Sequence, residues 1–486
     1  MAKISEQVLS LDLRSLALFR IVVGLLTTGD ILHRLVDIRK LYMDAGALPR
    51  SAVTGEFANH WVFSLHLVSD AMWWQLLLFG LSALAGLAMA AGYRTWVATF
   101  ICWVLTVSLH NRNEAALDGA DVVHRLMLFW AMFLPLGAIW SVDRVRSGVA
   151  AARSYVFTSG SVALTIQMFC IFFCAALLKT GDPWRKDFTA VWYVLNWDVF
   201  ATSTAVWLRP FHGLLQFFTV AALILEGIGP LLLFVPWAPL RTVVLLVFIS
   251  MHASFVLVLK LFQFASIMIA GWVALLPGWF WDKLGVPLEM NEVWRRRFER
   301  LSNALPGYRG GPALPERWAR GFAMMAMLCL TYVVCWNIRS VLPSFGRAFP
   351  QRVNPFGFTL RLDQYWTMFA PVPIAEDGWY VVPGRLADGR VVDVYRDGAP
   401  LTWERPALIA DTYANRRWRR YLWTATQADS AAYRKYYAAF LCREWERNHD
   451  EVLNIFDIVL MLEKSQPDYT VTKPEKLVLY EGYKCH

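Results

Sequence analysis

The sequence predicts a polytopic α-helical membrane protein of about nine spans, followed by a smaller extracytoplasmic α+β domain rich in strands. Three observations carry this. Hydrophobic residues make up 57% of the chain and charged residues only 17%, where a soluble chain carries about a quarter charged. There are 24 Trp, the residue that builds aromatic belts at bilayer interfaces. Apolar runs near the ~20 residues that cross a ~30 Å hydrocarbon core recur through the first two thirds of the chain. Together they argue against a soluble globular fold.

In order, the spans fall at residues 13–35, 73–91, 96–110, 122–140, 157–179, 211–234, 242–258, 263–276 and 318–342, within a transmembrane domain over residues 1–345. The two spans flanking Lys260 are short and have no Gly or Pro turn between them, so a single bent helix there changes the count by one. Residues 1–11 lack the n-region, h-region and cleavage site of a removable signal peptide, and the first span itself directs insertion. Positive residues gather on alternate connections: Lys3 and Arg14, Arg94, Arg144 with Arg146 and Arg153, Arg241, and Arg295 to Arg297. By the positive-inside rule the N-terminus is then cytoplasmic, while Lys179, Asn113 and the C-terminal domain face outward. The net charge of +9 needs no nucleic-acid partner, since anchoring arginines and an anionic leaflet account for much of it.

Residues 346–486 read differently. Apolar runs shorten to strand length at residues 379–382 and 390–395, with turn pairs Asp388-Gly389 and Asp397-Gly398 between them. Segments of helical character follow at residues 429–447 and 451–464. Of seven cysteines, Cys102, Cys170, Cys174, Cys329 and Cys335 lie in apolar spans and read as small hydrophobes. Cys442 and Cys485 alone could pair outside the membrane, and the sequence does not assign them a disulfide. No zinc, haem or iron–sulfur spacing and no phosphate loop is present, so no metal is expected.

What remains is a set of polar groups at membrane depth, where an ionisable side chain needs a reason. Arg20, with Asp30, His33 and Arg34 further along the span, reads first as a buried Arg–carboxylate tie and second as a brace for an active site. The cluster His110 to Glu114, with Asp118, Asp121, His124 and Arg125, is either a solvated cap or something denser. Glu226 and His252 are each more often a satisfied helix–helix bond than a catalyst. Lys179 ends an apolar run and is followed by Thr180-Gly181-Asp182-Pro183-Trp184. It is either a snorkelling anchor or a partly desolvated amine able to act as a general base.

Several dispersed segments carry a family resemblance. Ser15-Leu16-Ala17-Leu18-Phe19-Arg20-Ile21-Val22-Val23-Gly24, the stretch Tyr42-Met43-Asp44-Ala45-Gly46-Ala47-Leu48-Pro49-Arg50, and Leu134-Pro135-Leu136-Gly137 with Trp140-Ser141-Val142-Asp143 resemble the bacterial HTTM proteins. Those are membrane-embedded relatives of vitamin K-dependent gamma-glutamyl carboxylase. Gln364-Tyr365-Trp366-Thr367-Met368-Phe369-Ala370-Pro371 and Asp377-Gly378-Trp379 look family-like as well. The resemblance implies an enzyme of the bacterial inner membrane that uses a reduced quinone (vitamin K or menaquinol) with O2 and CO2 as co-substrates and no metal. A lysine deprotonates the quinol, oxygen converts it to a strong base, and that base takes a proton from the gamma carbon of a glutamate; CO2 captures the carbanion and the quinone leaves as its epoxide. Buried, lipid-accessible sites suit such chemistry.

Carried over, Lys179, Asn113, His252 and Glu114 are the expected catalytic residues, and Arg20, Trp184, Gln263 and Glu226 the quinol-binding ones. Glu114 stands where the carboxylase keeps a histidine, and a carboxylate donates a hydrogen bond only when protonated. That departure opens a second reading, quinol epoxidation without carboxylation. The expected partners are the bilayer, an isoprenoid quinol and, for carboxylation, a glutamate-containing peptide or protein. A third reading keeps the scaffold alone, as a non-enzymatic receptor, channel or transporter.

Overall fold

The structure is a computed structural model that describes residues 2–148, 153–307 and 316–485. Helix α1 (Leu13–Leu35) starts at Asp12, whose carboxylate accepts the Arg14 N–H at 2.8 Å, satisfying one of the donors a helix start leaves over. There follow α2 (Met72–Ala91), α3 (Thr95–Arg112), α4 (Gly119–Ala131), α5 (Ser159–Leu178), α6 (His212–Leu232), α7 (Ala238–Val258), α8 (Phe262–Ala274) and α9 (Glu316–Val341). Reciprocal capping boxes open α4 (Asp118 with Asp121) and α5 (Thr158 with Ser161).

Six of these helices, α1, α2, α5, α6, α7 and α9, are long and apolar enough to cross a membrane. The expected spans at 96–110, 122–140 and 263–276 correspond to α3, α4 and α8, which are shorter or more polar. In α4 every residue from Val123 to Ala131 is buried. The expected helix over 122–140 stops at Ala131 because Pro135 cannot donate to a helix ladder and the turn beyond it is held by Arg20, which donates to Leu136 O at 2.8 Å and Trp140 O at 2.6 Å. Around Lys260 the chain does break, although no Gly or Pro breaks it. Leu259 bridges Ala201, Lys260 N–H donates to Phe200 O at 2.8 Å and Thr202 N–H to Val258 O at 3.2 Å. A distant loop takes the groups that would have continued the helix. α1 and α2 touch at Gly24 and Gly86, where a Cβ on Gly24 would come within 2.6 Å of Gly86 O, the close approach that small residues allow between membrane helices.

Past α9 the chain stays on the bundle. Arg125 donates to Arg361 O and Asp363, Gln167 Nε2 to Gln364 Oε1 at 2.8 Å, and Trp336 to Gln364 O at 2.7 Å. The sheet itself begins at β1 (Glu376–Val381), followed by β2 (Pro383–Leu386), β3 (Val391–Asp393), β4 (Ala399–Pro400), helices α10 (Arg416–Thr426) and α11 (Ala431–Asn448), β5 (Leu453–Lys464) and β6 (Glu475–Lys484). All pairings are antiparallel. The long β5 carries β1 and β2 end to end along one edge and β6 along the other, with β3 beside β2 and β4 beside β3.

The segment expected to be helical at 451–464 is therefore a strand. Its apolar residues Leu453, Phe456 and Leu460 fall at helix-like spacing, but it is rich in β-branched residues (Ile455, Ile458, Val459) and has strand partners on both edges. Burial on both faces, against α10 and α11 on one and Trp379 with Val199 on the other, removes the alternation by which a half-buried strand shows itself. Cys442 and Cys485, left open by the sequence, form a disulfide tying α11 to the residue after β6.

Candidate functional site

The end of α5 is shaped by its neighbours. Lys179 is the C-cap residue, and Arg185 donates to the carbonyls of Lys179 at 2.7 Å and Ala176 at 3.1 Å, a favourable place for a cation. Gly181 N–H donates to Pro371 O at 3.0 Å, and a Cβ there would come within 2.1 Å of Val372 Cγ1, so only glycine allows the 370–372 strap to lie this close. Pro183 sits in the first turn of the short helix Asp182–Arg185, which buries Trp184 and aims its Nε1–H at Phe369 O, 2.7 Å away.

The Lys179 side chain is thereby turned inward. Its Nζ forms an ion pair with Glu226 of α6 and lies 5.1 Å from the centroid of the Trp184 ring. The two side chains are 4% and 14% exposed, so the ammonium does not reach water in the manner of an anchor. Lys179 and Trp184, from one stretch of sequence, are thus brought together with Glu226 from another.

His252 lies one layer deeper. Its Nδ1 is 2.7 Å from Phe248 O; a carbonyl only accepts, so Nδ1 carries a proton. Nε2 is buried with no hydrogen-bond partner among the described residues, within a ring of Phe172, Phe255, Phe264 and Trp272. Phe172 precedes Lys179 by two turns of α5, ~10 Å of helix rise.

The remaining expected residues stand apart. Asn113 is buried, its Nδ2 donating to Leu41 O at 2.9 Å and its Oδ1 without a partner among the described residues. Glu114, its side chain 51% exposed, is ion-paired to Arg361, which also donates to Asn111. Glu114 borders a cleft of about 210 Å³ with Phe57, His60 and Tyr433. Arg20 serves the turn after α4, close to the start of α5, since a Cβ on Gly160 would meet Phe133 O; Lys179 is at the other end of that helix, ~30 Å away.

The cluster around His110 is a buried network, not a solvated cap. Asp121 accepts from Arg34 at 2.8 Å and from Arg417 at 2.7 Å, and Asp30 from Arg34 at 2.7 Å, Arg416 at 2.6 Å and Arg417 at 2.8 Å. Burial opposes the charge on Arg417, yet Asp121 and Asp30 hold its pKa well above the ordinary value. Sequence reasoning missed Arg416, Arg417, Arg419 and Arg361. The signal available was the run Asn415-Arg416-Arg417-Trp418-Arg419-Arg420, too basic for an ordinary amphipathic helix and facing the acidic residues of α1 and α4.

Two larger clefts flank α10. One, of about 710 Å³, lies between Trp197, Phe200, Asp377, Tyr413, Arg419 and Trp423. The other, of about 690 Å³, lies between α1, the start of α8 and α10, and includes Gln263. Asp377 accepts backbone N–H bonds from Gly378 at 2.7 Å and Val199 at 3.1 Å. Burial, with the Asp198 carboxylate nearby, outweighs those bonds and pushes its pKa up to about 8. Among the described residues no group of three or more His, Cys, Asp or Glu is arranged to hold a metal ion.

Compared with known proteins, the chain matches no family model, no curated protein and no solved structure. Fold and site together define a helical bundle with membrane-length helices, joined to a C-terminal sheet domain and holding a buried lysine–carboxylate pair on the side where that domain docks.

Proposed function

We propose that this chain is a membrane-embedded enzyme acting on a reduced isoprenoid quinone, with the Lys179–Glu226 pair as its proton-accepting centre. In this reading α3, α4 and α8 complete about nine spans, the N-terminus is cytoplasmic and the C-terminal domain lies outside the inner membrane of a bacterium. One observation carries the proposal: a lysine ammonium sealed from water against one carboxylate and one indole face. In this reading Nζ hands a proton to its partner Glu226 Oε2 when the substrate enters. The free amine is then a general base for a hydroxyl held against Trp184. Trp184, fixed by Phe369 O, supplies a flat wall for a planar ring, and His252 Nε2 offers a hydrogen-bonding position deeper in the bundle. The quinol, with O2, would supply the strong base that removes a proton from a carbon acid.

Within this proposal, epoxidation without carboxylation is favoured by one further feature. Glu114, where the carboxylase has its histidine, accepts from Arg361, and an ion-paired carboxylate is an acceptor, not a donor. The test is turnover of menaquinol and vitamin K hydroquinone by purified protein, with and without labelled bicarbonate. Turnover at the wild-type rate by Lys179→Ala overturns Lys179 as the base, and no turnover by the wild type leaves the receptor or transporter scaffold. Epoxide without label in an added glutamyl peptide selects epoxidation, and label selects carboxylation.

A further inference from the structure

Tyr413 and Arg419 line both of the larger clefts. The cleft beside α1 follows one stripe of that helix, Val22, Leu25, Leu26, Gly29, Asp30 and His33, at the spacing of a single helical face. From Val22 to His33 the stripe rises ~16 Å. Its lower part, with Val22, Leu25 and Leu26, is apolar and open to the flank, Leu25 being 52% exposed. Its upper part is polar, bordered by His33, Gln263, Asn415 and Arg416. A groove greasy at one end and polar at the other, on the side of a membrane-length helix, has the form of a site for an amphiphile.

The cations at its polar end differ in what neutralises them. Lys260 is paired with Asp411, and Arg416 with Asp30 and Asp118. Arg419 has no carboxylate at ion-pair distance among the described residues. It lies over the Phe200 ring and donates only to two neutral carbonyls, Val199 O at 3.3 Å and Lys260 O at 3.2 Å. Burial lowers its pKa to about 10, only partly countered by Asp118. Gln263 Nε2 is also buried, with no hydrogen-bond partner among the described residues. A buried guanidinium without a counter-charge and a buried amide donor without an acceptor are each costly alone. Both border one cleft, and one anion there would satisfy both.

We propose that this cleft binds a membrane lipid with an anionic phosphate head, its chain against Val22, Leu25 and Leu26 and its phosphate oxygens at Arg419 and Gln263. Arginine suits this role because its planar fork matches phosphate oxygens. The proposal assumes that the bundle sits in a bilayer and is independent of any chemistry at Lys179.

The test is retention of lipid by the purified full-length protein, read by native mass spectrometry, with phosphatidylglycerol and phosphatidylcholine of identical chains and with inorganic phosphate as competitor. Phosphatidylglycerol is expected to be held about tenfold better than phosphatidylcholine, the scale of one charge-assisted contact. R419Q should bring the two lipids level, and R419K should keep part of the preference. L25W, at an exposed position that leaves the core intact, should lower retention of both lipids by blocking the groove. Equal retention of both lipids by the wild type overturns the proposal, as does a preference that survives R419Q or an L25W protein that holds lipid like the wild type. Displacement of phosphatidylglycerol by inorganic phosphate at equal concentration would make the site one for free anions and sink the lipid assignment.

Discussion

Lys179 points inward because other residues have used up the alternatives. Arg185 occupies the last carbonyls of α5, the 370–372 strap covers Gly181, and Trp184 closes the wall. The ammonium then has Glu226 as its partner and little contact with solvent. Breaking such a pair leaves one buried charge uncompensated, which costs about 3–5 kcal/mol, whereas replacing both members with apolar residues is often close to neutral. Lys179→Met is therefore expected to lower thermal stability strongly, and Lys179→Met with Glu226→Leu to recover most of it. Quinol turnover should be lost in both, which separates the chemical role from the packing role. A single variant as stable as the wild type would show that the pair is hydrated. Sequence reading singled out Lys179, Trp184 and Glu226, but not the pairing, because Lys179 and Glu226 are 47 positions apart on different helices and no spacing rule reaches that far. Gly181→Ala tests the cap without touching the pair. Its Cβ would force Val372 aside, and turnover should fall several-fold while Lys179 and Glu226 remain; an unchanged rate would mean that the strap does not set the position of Lys179.

At the scale of elements, what the sequence could show depended on whether a segment's environment was local. α1, α5 and α11 were legible because a long apolar run or a helical pattern needs only itself. The break at Lys260 was legible as a gap between two apolar runs but its cause, the loop around Ala201, was not; the strand β5 was not legible, because partners on both edges make it. β1 also carries a pH response. Asp377 has a folded-state pKa of about 8 against an ordinary 3.8, so between those values the native state holds a proton that the unfolded chain has released. Stability contributed by this group is full below about pH 4, falls as pH rises, and is lost above about pH 8. The groups facing it are Asp198, held by Arg209 and Arg405, and Glu463, held by Arg405. Asp377→Asn is expected to flatten this part of the pH profile and to melt above the wild type at pH 8.5, by a few kcal/mol at most. Parallel melting curves for the two proteins from pH 5 to 8.5 would refute it.

Across the whole molecule, the C-terminal domain is fastened to the bundle by charge as well as by packing. Arg417 is 1% exposed and bonds Asp121, Asp30 and Ala116 O, while Tyr421 donates to Ala47 O at 2.7 Å and Arg443 to Gly46 O at 3.0 Å. The acidic half of this fastening was visible in the sequence as Asp30, Asp118 and Asp121. The basic half was not, because it arrives from nearly 300 residues further on. Arg417→Met leaves Asp30 and Asp121 with Arg34 and Arg416 only, in a place too dry to hydrate the excess negative charge. A loss of about 3–5 kcal/mol is expected, against a far smaller one for Arg390→Met, whose partners Asp388 and Glu451 are half-exposed and solvated. The loss should also be localised. Amide hydrogen exchange is expected to quicken in α10 and in the residues 114–118 beneath it, while α5 and α6 keep their protection, since neither touches the network. If exchange instead rises uniformly, domain and bundle unfold as one cooperative unit. If it does not rise at all, backbone and apolar contacts hold the domain and the ion network serves to orient it, the specificity role that buried charges can have when they add little stability.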